Sequence, residues 1–567
     1  MASHTQSSPS TPNLEGDLST TPTLAEGIVE KSLEDIREPE WDPRIVVPRD
    51  ERPSDEALDE SVVHHLAGLV LHRPITSHKD QHDSLSISEK GQKKRSHSEP
   101  IYIDFAEGDE RNPVNFPLRK KWAITAIACF STLLASTTAS AYNMGFGSMM
   151  RDLNCSHLEA TAGLSLYTFG FAIVPLVSAS FSEEFGRLPL YYASGIGFLF
   201  MYMMIALSQN IETVLVARFI QGGFGSTGAT MVGGTIADIW SAKDRGLPMS
   251  LFSVVAVGGT GLGPVFAGWI EMNTKLEWRW IQWIQMMICG LYLVLLPFTL
   301  SETRSSILLT RLARKIRKKS GDHRYRARVE DERANLRTLI YISCTRPVHL
   351  MITEPVVSSF SLWVGFAWGV TYVLIESVAG VFSDLHGFTI GQVGTVFVTM
   401  TIGSIIGFLT NIYQDTLYAK NVATRGPEAR LYQACVAGIL LPVSMFIYAW
   451  CSFTFVPWIS LAIALTLYML ATFTIYLSVF SYLADCYGPF ASSALAGQSL
   501  ARNLAATAFP MFTTQMYARL DYKWANTLFG GIAVLMVPIP FILFFYGPKI
   551  RASSRFSRAV MDMAASK

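Results

Sequence analysis

Beyond residue 121 the chain alternates between long apolar stretches and short polar connections. A helix that crosses a bilayer needs about 20 predominantly apolar residues. Twelve such stretches, spans 1 to 12, lie at about 122–144, 160–181, 190–208, 212–236, 248–270, 281–300, 356–382, 391–412, 433–452, 458–483, 492–513 and 526–546. Span 11 is the least apolar, because it carries Gln498, Arg502 and Asn503. The pattern predicts an all-α integral membrane protein with two six-helix bundles. It excludes a β-barrel, whose strands alternate in polarity over about 9–11 residues.

Composition and charge separate a tail from this membrane part. Of the 567 residues, 50% are hydrophobic and 16% are charged, whereas soluble domains carry about 25% charged residues. We predict a tail at 1–121, an N-terminal bundle at 122–300, a basic loop at 301–350, a C-terminal bundle at 351–547 and a second tail at 548–567. The first tail is acidic and poor in apolar residues, which predicts disorder.

Lysine and arginine mark one side of the predicted membrane. They cluster before span 1, after spans 2, 4, 8 and 12, and above all after span 6, whereas the loops after spans 3, 7 and 9 contain none. Cytoplasmic loops carry an excess of these residues, so both termini are predicted to be cytoplasmic. The loop after span 1 then faces outward, and its Asn154-Cys155-Ser156 is a glycosylation sequon. The basic loop is expected to contact anionic lipid headgroups rather than nucleic acid, because nothing aromatic is interleaved.

A short match between the two sets of spans indicates an internal repeat. Span 4 ends in Ala237-Asp238-Ile239-Trp240, and span 10 ends in Ala484-Asp485-Cys486-Tyr487, 247 residues later. Both segments read Ala-Asp-x-aromatic at the same end of the fourth helix of their half. Parallel halves of six helices place a substrate site between them, near the bilayer midplane.

Further segments combine charged residues with glycine or proline at the ends of spans or within them. They are Ser182-Glu183-Glu184-Phe185-Gly186-Arg187-Leu188-Pro189, Arg218-Phe219-Ile220-Gln221-Gly222, Gly259-Thr260-Gly261-Leu262-Gly263-Pro264-Val265-Phe266-Ala267-Gly268, Glu376 in span 7, and Gly426-Pro427-Glu428-Ala429-Arg430-Leu431. From about residue 112 to 557 the chain resembles the major facilitator superfamily. More narrowly it is similar to the fungal twelve-span drug:proton antiporters, a group that includes polyamine and multidrug exporters. Five positions depart from the patterns of that group, namely Ala179, Leu188, Ala267, Ala379 and Ser481.

The segment after span 2 predicts a gate. The resemblance implies a cytoplasmic charge cluster in which Glu183 supplies the acid and Arg187 the base, with Gly186 between them. A carboxylate and a guanidinium in one tight loop can clamp neighbouring helix ends. We expect Asp238 to join this cluster, and Asp485 is its counterpart in the second half. The alternative is a solvated loop whose charges only follow the orientation rule.

Two ionisable residues within spans are candidates for proton coupling. A guanidinium inside a span costs roughly 2.5 kcal/mol or more unless it faces protein or water. Arg218 is therefore expected to face the cavity and to pair with a carboxylate, a carbonyl or the substrate. Glu376 could hold either a proton or a cationic substrate, and the alternative is a position near the outer headgroups. Asn143, Gln221 and Gln498 are further polar candidates for the cavity. The aromatic candidates, whose faces suit cationic or planar substrates, are Tyr142, Trp363, Phe366, Trp368 and Tyr476.

Span 5 resembles the antiporter signature of the family, carried by Gly259, Gly263, Pro264 and Gly268. Glycines at this spacing let another helix approach closely, and the proline is expected to kink the helix. The resemblance implies that this helix seals the cavity against proton leak during exchange. The alternative is a plain packing face.

These observations predict a proton-coupled secondary transporter that exports a small organic compound by alternating access. The expected substrate is a polyamine or other amine, a drug or a natural product. The resemblance favours a monomer in the plasma membrane, with the vacuolar membrane as the alternative. Uptake by symport or uniport in the same fold, and a sensor that signals through the tail, remain open. The chain has neither a Walker lysine loop nor a catalytic constellation, so we expect no enzyme, no cofactor and no metal.

Overall fold

The computed structural model describes residues 100–106, 108–241, 244–321, 323–332, 336–554, 556–558 and 560–561. Helices make up nearly all the regular structure of these residues. For residues 1–99, the predicted disorder of the tail lies outside the described residues.

Six spans form the N-terminal half. Span 1 consists of Leu118–Ala141, a 3₁₀ turn at Tyr142–Gly145, and Phe146–Leu153. Spans 2 to 6 are His157–Phe185, Arg187–Ala206, Ile211–Ile239, Gly246–Glu271 and Glu277–Thr299. At a rise of about 1.5 Å per residue, each helix is long enough to cross the apolar core of a bilayer.

Six more spans form the C-terminal half. They are Pro355–His386, then Ile390–Val396 with Val398–Arg425, Tyr432–Trp450, Trp458–Tyr487, Ala491–Ala508 with 510–520, and 522–536 with Pro538–Ser553. The helix Pro510–Met536 is divided at Asp521, whose φ of 54° and ψ of 166° are not helical. It therefore supplies the end of span 11 and the start of span 12, so span 11 extends beyond its predicted limit at residue 513.

Hydropathy alone identifies fewer spans than the fold contains. Within the described residues nine segments are long and apolar enough to cross a membrane, and one of them, Ile390–Trp450, contains both span 8 and span 9. Ile211–Ile239 and Ala491–Ala508 are not among them, because many glycine, serine, threonine and glutamine residues, and Arg502 in the second helix, lower their mean hydropathy. Adding these two helices gives the twelve spans of the prediction, which is confirmed.

The same helix pairs recur in both halves. Span 1 packs against span 5 as span 7 packs against span 11, and span 2 packs against span 4 as span 8 packs against span 10. Span 3 contacts span 4 as span 9 contacts span 10. The halves meet where span 5 packs against span 8 and span 2 packs against span 11. The internal repeat indicated by the Ala-Asp-x-aromatic match is therefore present in the packing.

The two ends of the bundle carry different loops, because successive spans run in opposite directions. We call one of them the basic end; it holds the connections after spans 2, 4, 6, 8 and 10. The far end holds the connections after spans 1, 3, 5, 7, 9 and 11.

Regular structure is present before the predicted boundary at residue 121, and the connection between the halves contains helices. Ile101–Tyr102 pairs in parallel with Tyr325–Arg326, and a 3₁₀ turn at Pro113–Asn115 precedes span 1. The connection contains Ser305–Ser320, Arg328–Glu332 and Leu336–Thr353. Ser305–Ser320 forms because apolar residues recur at helical spacing between its cations, and Ile307, Ala313 and Ile316 are buried.

Candidate substrate and coupling site

Arg218 of span 4 is fully buried. Its Nε donates a hydrogen bond to the carbonyl oxygen of Gly163 at 3.2 Å, and its Nη1 donates to Oε1 of Gln221 at 2.8 Å. The guanidinium carbon lies 4.1 Å from the ring centroid of Tyr142 and 4.4 Å from that of Tyr167. The expected carbonyl partner is therefore present. Nη2 is buried and has no hydrogen-bond acceptor among the described residues.

Close packing of spans 2 and 4 creates this environment. A Cβ atom on Gly222 would lie 2.0 Å from the carbonyl oxygen of Tyr167, and one on Gly170 would lie 2.3 Å from that of Phe219. Small residues let helix backbones approach in this way. The approach brings Tyr167 and the Gly163 carbonyl within reach of Arg218.

A second guanidinium occupies a similar setting in the C-terminal half. Arg502 of span 11 lies with its guanidinium carbon 4.6 Å from the ring centroid of Trp368 and 5.1 Å from that of Tyr476. Its Nη2 donates to the hydroxyl of Ser499 at 3.4 Å, and its Nε is buried without an acceptor among the described residues. Sequence reasoning noted Arg502 as a polar residue in span 11 and missed its place beside two of the aromatic candidates.

Two other aromatic candidates do not join these guanidinium groups. Trp363 is fully buried, and its ring stacks on Phe360 at a centroid distance of 6.1 Å. Phe366 lies 6.4 Å from both Phe509 and Phe529. Both rings therefore pack inside the C-terminal half.

Glu376 of span 7 lies between the halves, toward the far end. Its Oε1 accepts hydrogen bonds from the hydroxyl of Thr514 in span 11 at 2.9 Å and from that of Thr161 in span 2 at 3.3 Å. The Nδ1 atom of His157 lies 3.4 Å from both hydroxyl oxygens. Oε2 is buried without a partner among the described residues. These contacts place the carboxylate inside the protein rather than among lipid headgroups.

Asn143 connects the surroundings of Glu376 with those of Arg218. Its Nδ2 donates to the carbonyl oxygen of Ile375, while the preceding residue, Tyr142, stacks on Arg218. The structure therefore brings Arg218, Gln221, Asn143 and Glu376 into one group of neighbours, whereas Gln498 lies on span 11. Thr161, Thr514 and His157 were missed, because only the fold brings these distant positions together.

Span 5 packs tightly on two sides. A Cβ atom on Gly263 would lie 2.4 Å from the carbonyl oxygen of Thr137 in span 1, and one on Gly268 would lie 2.6 Å from that of Ile390 in span 8. Gly259 also faces span 1, where a Cβ atom would lie 3.0 Å from Ser136. The helix Gly246–Glu271 continues through Pro264. The predicted signature therefore forms a contact both within its half and between the halves.

At the basic end, Arg187 ties span 3 to span 4. Its Nε donates to Oδ2 of Asp238 at 3.0 Å, and its Nη1 donates to the hydroxyl of Ser182 at 2.9 Å. We call Arg187, Asp238 and Ser182 the N-half clamp. Glu183, the expected acid, lies instead 3.8 Å from Arg304, with its side chain 53% exposed. Asp238 rather than Glu183 therefore supplies the carboxylate that pairs with Arg187.

Glu302, which follows span 6, supports the N-half clamp and was missed. Its carboxylate accepts hydrogen bonds from the backbone N–H of Arg187 at 3.0 Å and of Leu188 at 3.3 Å. It also accepts from Thr303 and Arg304, both at 3.1 Å. A Cβ atom on Gly186, whose φ is 96°, would lie 2.3 Å from Oε2 of Glu302. Glycine at this position therefore makes room for the carboxylate.

Asp485 belongs to a separate cluster in the C-terminal half. Its Oδ2 accepts hydrogen bonds from Nε of Arg430 and from the hydroxyl of Tyr418, both at 3.0 Å. Arg430 also reaches Asp415 at 3.4 Å and stacks 3.5 Å from the ring centroid of Tyr418. We call these four residues the C-half clamp. Asp485 therefore repeats the role of Asp238 rather than joining it.

A buried ion pair lies beside the C-half clamp. Arg551, near the end of span 12, donates through Nε and Nη2 to the two carboxylate oxygens of Glu428 at 2.9 and 3.0 Å. The hydroxyl of Tyr482 donates to the same carboxylate at 3.2 Å. Glu428 lies within a segment that sequence analysis singled out, but its partner could not be identified from spacing.

The predicted sequon lies on the surface of the far end. Asn154 is exposed and ends the helix Phe146–Leu153 in the left-handed conformation, with φ 49°. Ser156 begins the next helix through reciprocal hydrogen bonds with Glu159. Glycosylation of Asn154 stays a prediction. Among the described residues, no group of three or more His, Cys, Asp or Glu side chains could hold a metal ion.

Comparisons with known proteins agree with this architecture. The superposition on the proton:xylose symporter XylE has a TM-score of 0.54 at 16% identity, over 76% of this chain and 96% of that one, which shows the fold alone. A citrinin biosynthesis cluster transporter of Monascus ruber is 32% identical over 81% of this chain and 93% of its own length. A multidrug transporter of Candida glabrata is 31% identical over 83% and 81%. An efflux pump of Trichophyton rubrum is 32% identical over 81% and 78%.

The family model of the Major Facilitator Superfamily matches residues 128–489, which include parts of both halves with Arg218 and Glu376 but end before Arg502 and Thr514. Members of this family are multi-pass membrane transporters and not enzymes. The chain belongs to the major facilitator superfamily.

Proposed function

We propose that this protein is a proton-coupled antiporter that exports a small organic compound by alternating access between its halves. The observation that carries the proposal is the position of Glu376. Its carboxylate accepts hydrogen bonds from Thr161 in one half and from Thr514 in the other. The far end cannot open along this contact unless those hydrogen bonds break. Protonation of the carboxyl group and opening of the far end are therefore linked.

Hydration determines whether protonation of Glu376 favours the closed or the open far end. A carboxylate that leaves water loses more solvation than a protonated carboxyl group does, and two hydroxyl groups replace that loss only in part. Protonation of Glu376 therefore favours the closed far end, and loss of the proton favours the open one. A ligand shifts such an equilibrium by its difference in affinity for the two states, and here the proton is that ligand.

Other parts of the site fit the same cycle. Asn143 and Tyr142 connect the surroundings of Glu376 with Arg218 and Gln221, so a substrate bound near Arg218 can affect the contact at Glu376. Span 5 contacts both span 1 and span 8 through Gly263 and Gly268, and we assign it the seal between the halves. Each clamp links helices of a single half, so we assign the clamps to keeping those helix ends together while the basic end opens.

The relatives support export as the direction. One is named an efflux pump and another a multidrug transporter, and the transporter of the citrinin biosynthesis cluster suggests a natural product as one class of cargo. Amines, including polyamines, and drugs are the other candidate classes.

The basic end is proposed to face the cytoplasm, which puts both termini inside and Asn154 outside. We propose a monomer in the plasma membrane, with the vacuolar membrane as the alternative. The cations of Ser305–Ser320 would contact anionic headgroups. Modification of single introduced cysteines by an impermeant reagent tests this orientation.

Transport in inside-out membrane vesicles tests the proposed function. With an acidic lumen, the wild-type protein should accumulate a substrate from the bath, and dissipation of the pH gradient should abolish the accumulation. Glu376→Gln should lose this accumulation but keep the exchange of labelled for unlabelled substrate, which needs no net proton movement. Glu212→Gln, which changes an exposed carboxylate at the far end, is the matched control and should behave as wild type.

The rival mechanisms give different results. Accumulation driven only by the opposite pH gradient would indicate a symporter. Equilibration without accumulation under either gradient would indicate a uniporter. If Glu376→Gln still accumulates substrate in response to the pH gradient, Glu376 is not the coupling site.

A further inference from the structure

Each half contributes, from within one of its spans, a guanidinium group that is stacked on two aromatic rings. Arg218 lies against Tyr142 and Tyr167, and Arg502 lies against Trp368 and Tyr476. We call Arg218 and Arg502 the arginine pair. Neither guanidinium has a carboxylate within 4 Å among the described residues. The buried carboxylate of Glu376 is hydrogen-bonded to threonine hydroxyls instead.

The surroundings of the arginine pair have unused hydrogen-bond donors. The arginine pair and two glutamines on the same helices carry four buried N–H groups that find no acceptor among the described residues: Nη2 of Arg218, Nε2 of Gln221, Nε2 of Gln498 and Nε of Arg502. Gln221 presents its amide nitrogen because its oxygen already accepts from Arg218. Gln498 lies one helical turn before Arg502, on the same face of span 11.

Burial of these four N–H groups without hydrogen-bond acceptors costs free energy. A charged group away from water needs both a counter-charge and hydrogen-bond partners, and stacking on aromatic rings replaces only part of that. Arg218 is fully buried and still has an unused N–H. Such an arrangement is best satisfied by something that brings negative charge and several acceptor oxygens.

We propose that the arginine pair binds the acidic group of an organic anion, so that the exported substrates are organic acids. This inference rests on the proposed function for the direction of transport, but not for binding. Carboxylate and phenolate oxygens form short, charge-assisted hydrogen bonds with guanidinium groups, and the planar fork of arginine suits a carboxylate in two-point contact. Polyamines would place positive charge beside two arginines and leave all four donors unused.

Contacts between spans 2 and 11 place the two arginines at one interface between the halves. Asn503, the neighbour of Arg502, donates a hydrogen bond to the carbonyl oxygen of Phe171 at 3.5 Å. Phe171 lies one helical turn after Tyr167, whose ring stacks on Arg218. An acidic group bound at this interface would attract both halves at once. The anion would then bridge the halves as Glu376 does nearer the far end.

The charge of the substrate determines how the exchange responds to membrane voltage. Export of one monoanion for the entry of one proton moves two positive charges inward per cycle. Export of one monocation for one proton moves none. A cytoplasm-negative potential should therefore drive export of the anion strongly and leave exchange of a cation almost unaffected.

Binding of three matched probes to the purified full-length protein in detergent tests the proposal without any transport. The probes 1-naphthoate, 1-naphthamide and 1-naphthylmethylamine share one aromatic body and differ in charge. We expect naphthoate to bind at least tenfold more tightly than the amide, and the amine to bind most weakly. Arg502→Gln should reduce naphthoate binding at least tenfold and leave amide binding unchanged. Arg502→Lys keeps the positive charge but not the planar fork, so its naphthoate affinity should lie between that of the wild type and that of Arg502→Gln.

Arg425→Gln is the matched control. It removes a guanidinium that stacks 4.5 Å from the ring centroid of Phe544 at the exposed basic end, and it should leave the naphthoate affinity as in wild type. The ranking of the probes by the wild-type protein tests the proposal even if a variant fails to fold. Equal binding of naphthoate and the amide, or tightest binding of the amine, would overturn the proposal. Failure of proton coupling with the ranking intact would instead refute only the proposed antiport.

Discussion

The two halves carry corresponding clamps at the basic end, but each half supports its clamp differently. In both, an arginine at the start of the third helix or in the turn just before it pairs with an aspartate at the end of the fourth, at 3.0 Å. In the N-terminal half the side chains of Arg187 and Asp238 are 12% and 20% exposed. In the C-terminal half those of Arg430 and Asp485 are 22% and 28% exposed. The same contact therefore lies deeper in one half than in the other.

The support from the sixth helix of each half also differs. Glu302 follows span 6 and accepts hydrogen bonds from the backbone at the start of span 3. In the C-terminal half the acid, Glu428, lies before span 9, and Arg551 near the end of span 12 provides its partner. Both arrangements tie the last helix of a half to its third helix. The two halves therefore make the same contact between these helices with different side-chain chemistry.

The largest effect should come from breaking the ion pair of the C-terminal half. Glu428→Ala leaves the Arg551 guanidinium, whose side chain is 10% exposed, without its counter-charge. Removal of one partner of a buried pair costs about 3–5 kcal/mol. Thermal unfolding of the purified protein in detergent measures the loss of stability. The double variant Glu428→Gln/Arg551→Met should recover much of it, and a double variant as unstable as the single one would contradict the assigned pairing.

A smaller loss is expected for the deeper clamp. Asp238→Asn removes the negative charge that faces Arg187 but keeps an acceptor oxygen, and Ser182 still binds the guanidinium. Hydrogen bonds to charged groups contribute about 1.5–3 kcal/mol, so the loss should lie in that range. The same unfolding assay measures it. Stability equal to wild type would show that the ion pair is not what holds spans 3 and 4 together.

The sequence predicted the spans and the polar residues within them, but it did not predict the side chains that connect one helix to another. Twelve spans, the polar group around Arg218 and Glu376, and the repeat at Asp238 and Asp485 follow from short local patterns. Hydropathy and motif spacing describe one helix at a time. The partners Glu302, Thr161 and Thr514 depend on how distant helices pack, and no local pattern encodes that packing.

Some of the missed residues left a signal in the sequence. Glu302 is an acidic residue at the start of a strongly basic connection. The excess of lysine and arginine in cytoplasmic loops explains the cations of this connection but not an acidic residue. Arg502 is a cation in the middle of a span, and the cost that made Arg218 a candidate applies to it equally. The same argument applied to every charged residue within the spans would have identified Arg502.

Removal of the backbone support in the N-terminal half should have an intermediate effect. Glu302→Ala takes away the acceptor for four backbone N–H groups, two of them in the first turn of span 3. Loss of a helix-capping side chain costs about 0.5–2 kcal/mol. Hydrogen exchange at residues 187 and 188 should rise relative to wild type. Unchanged exchange there would mean that water or neighbouring groups replace the carboxylate.

The smallest effect is expected for the shallower clamp, where Asp485→Asn is the counterpart of Asp238→Asn. Ion pairs near the surface contribute about 0.2–1 kcal/mol, and Arg430 keeps Asp415 and the ring of Tyr418 as neighbours. The two asparagine variants make the same chemical change at repeated positions, so their difference in unfolding free energy measures the depth of the clamp and little else. An equal loss for both would show that burial does not distinguish the halves. A larger loss for Asp485→Asn would indicate that the second half depends more on its surface clamp than on Glu428 and Arg551.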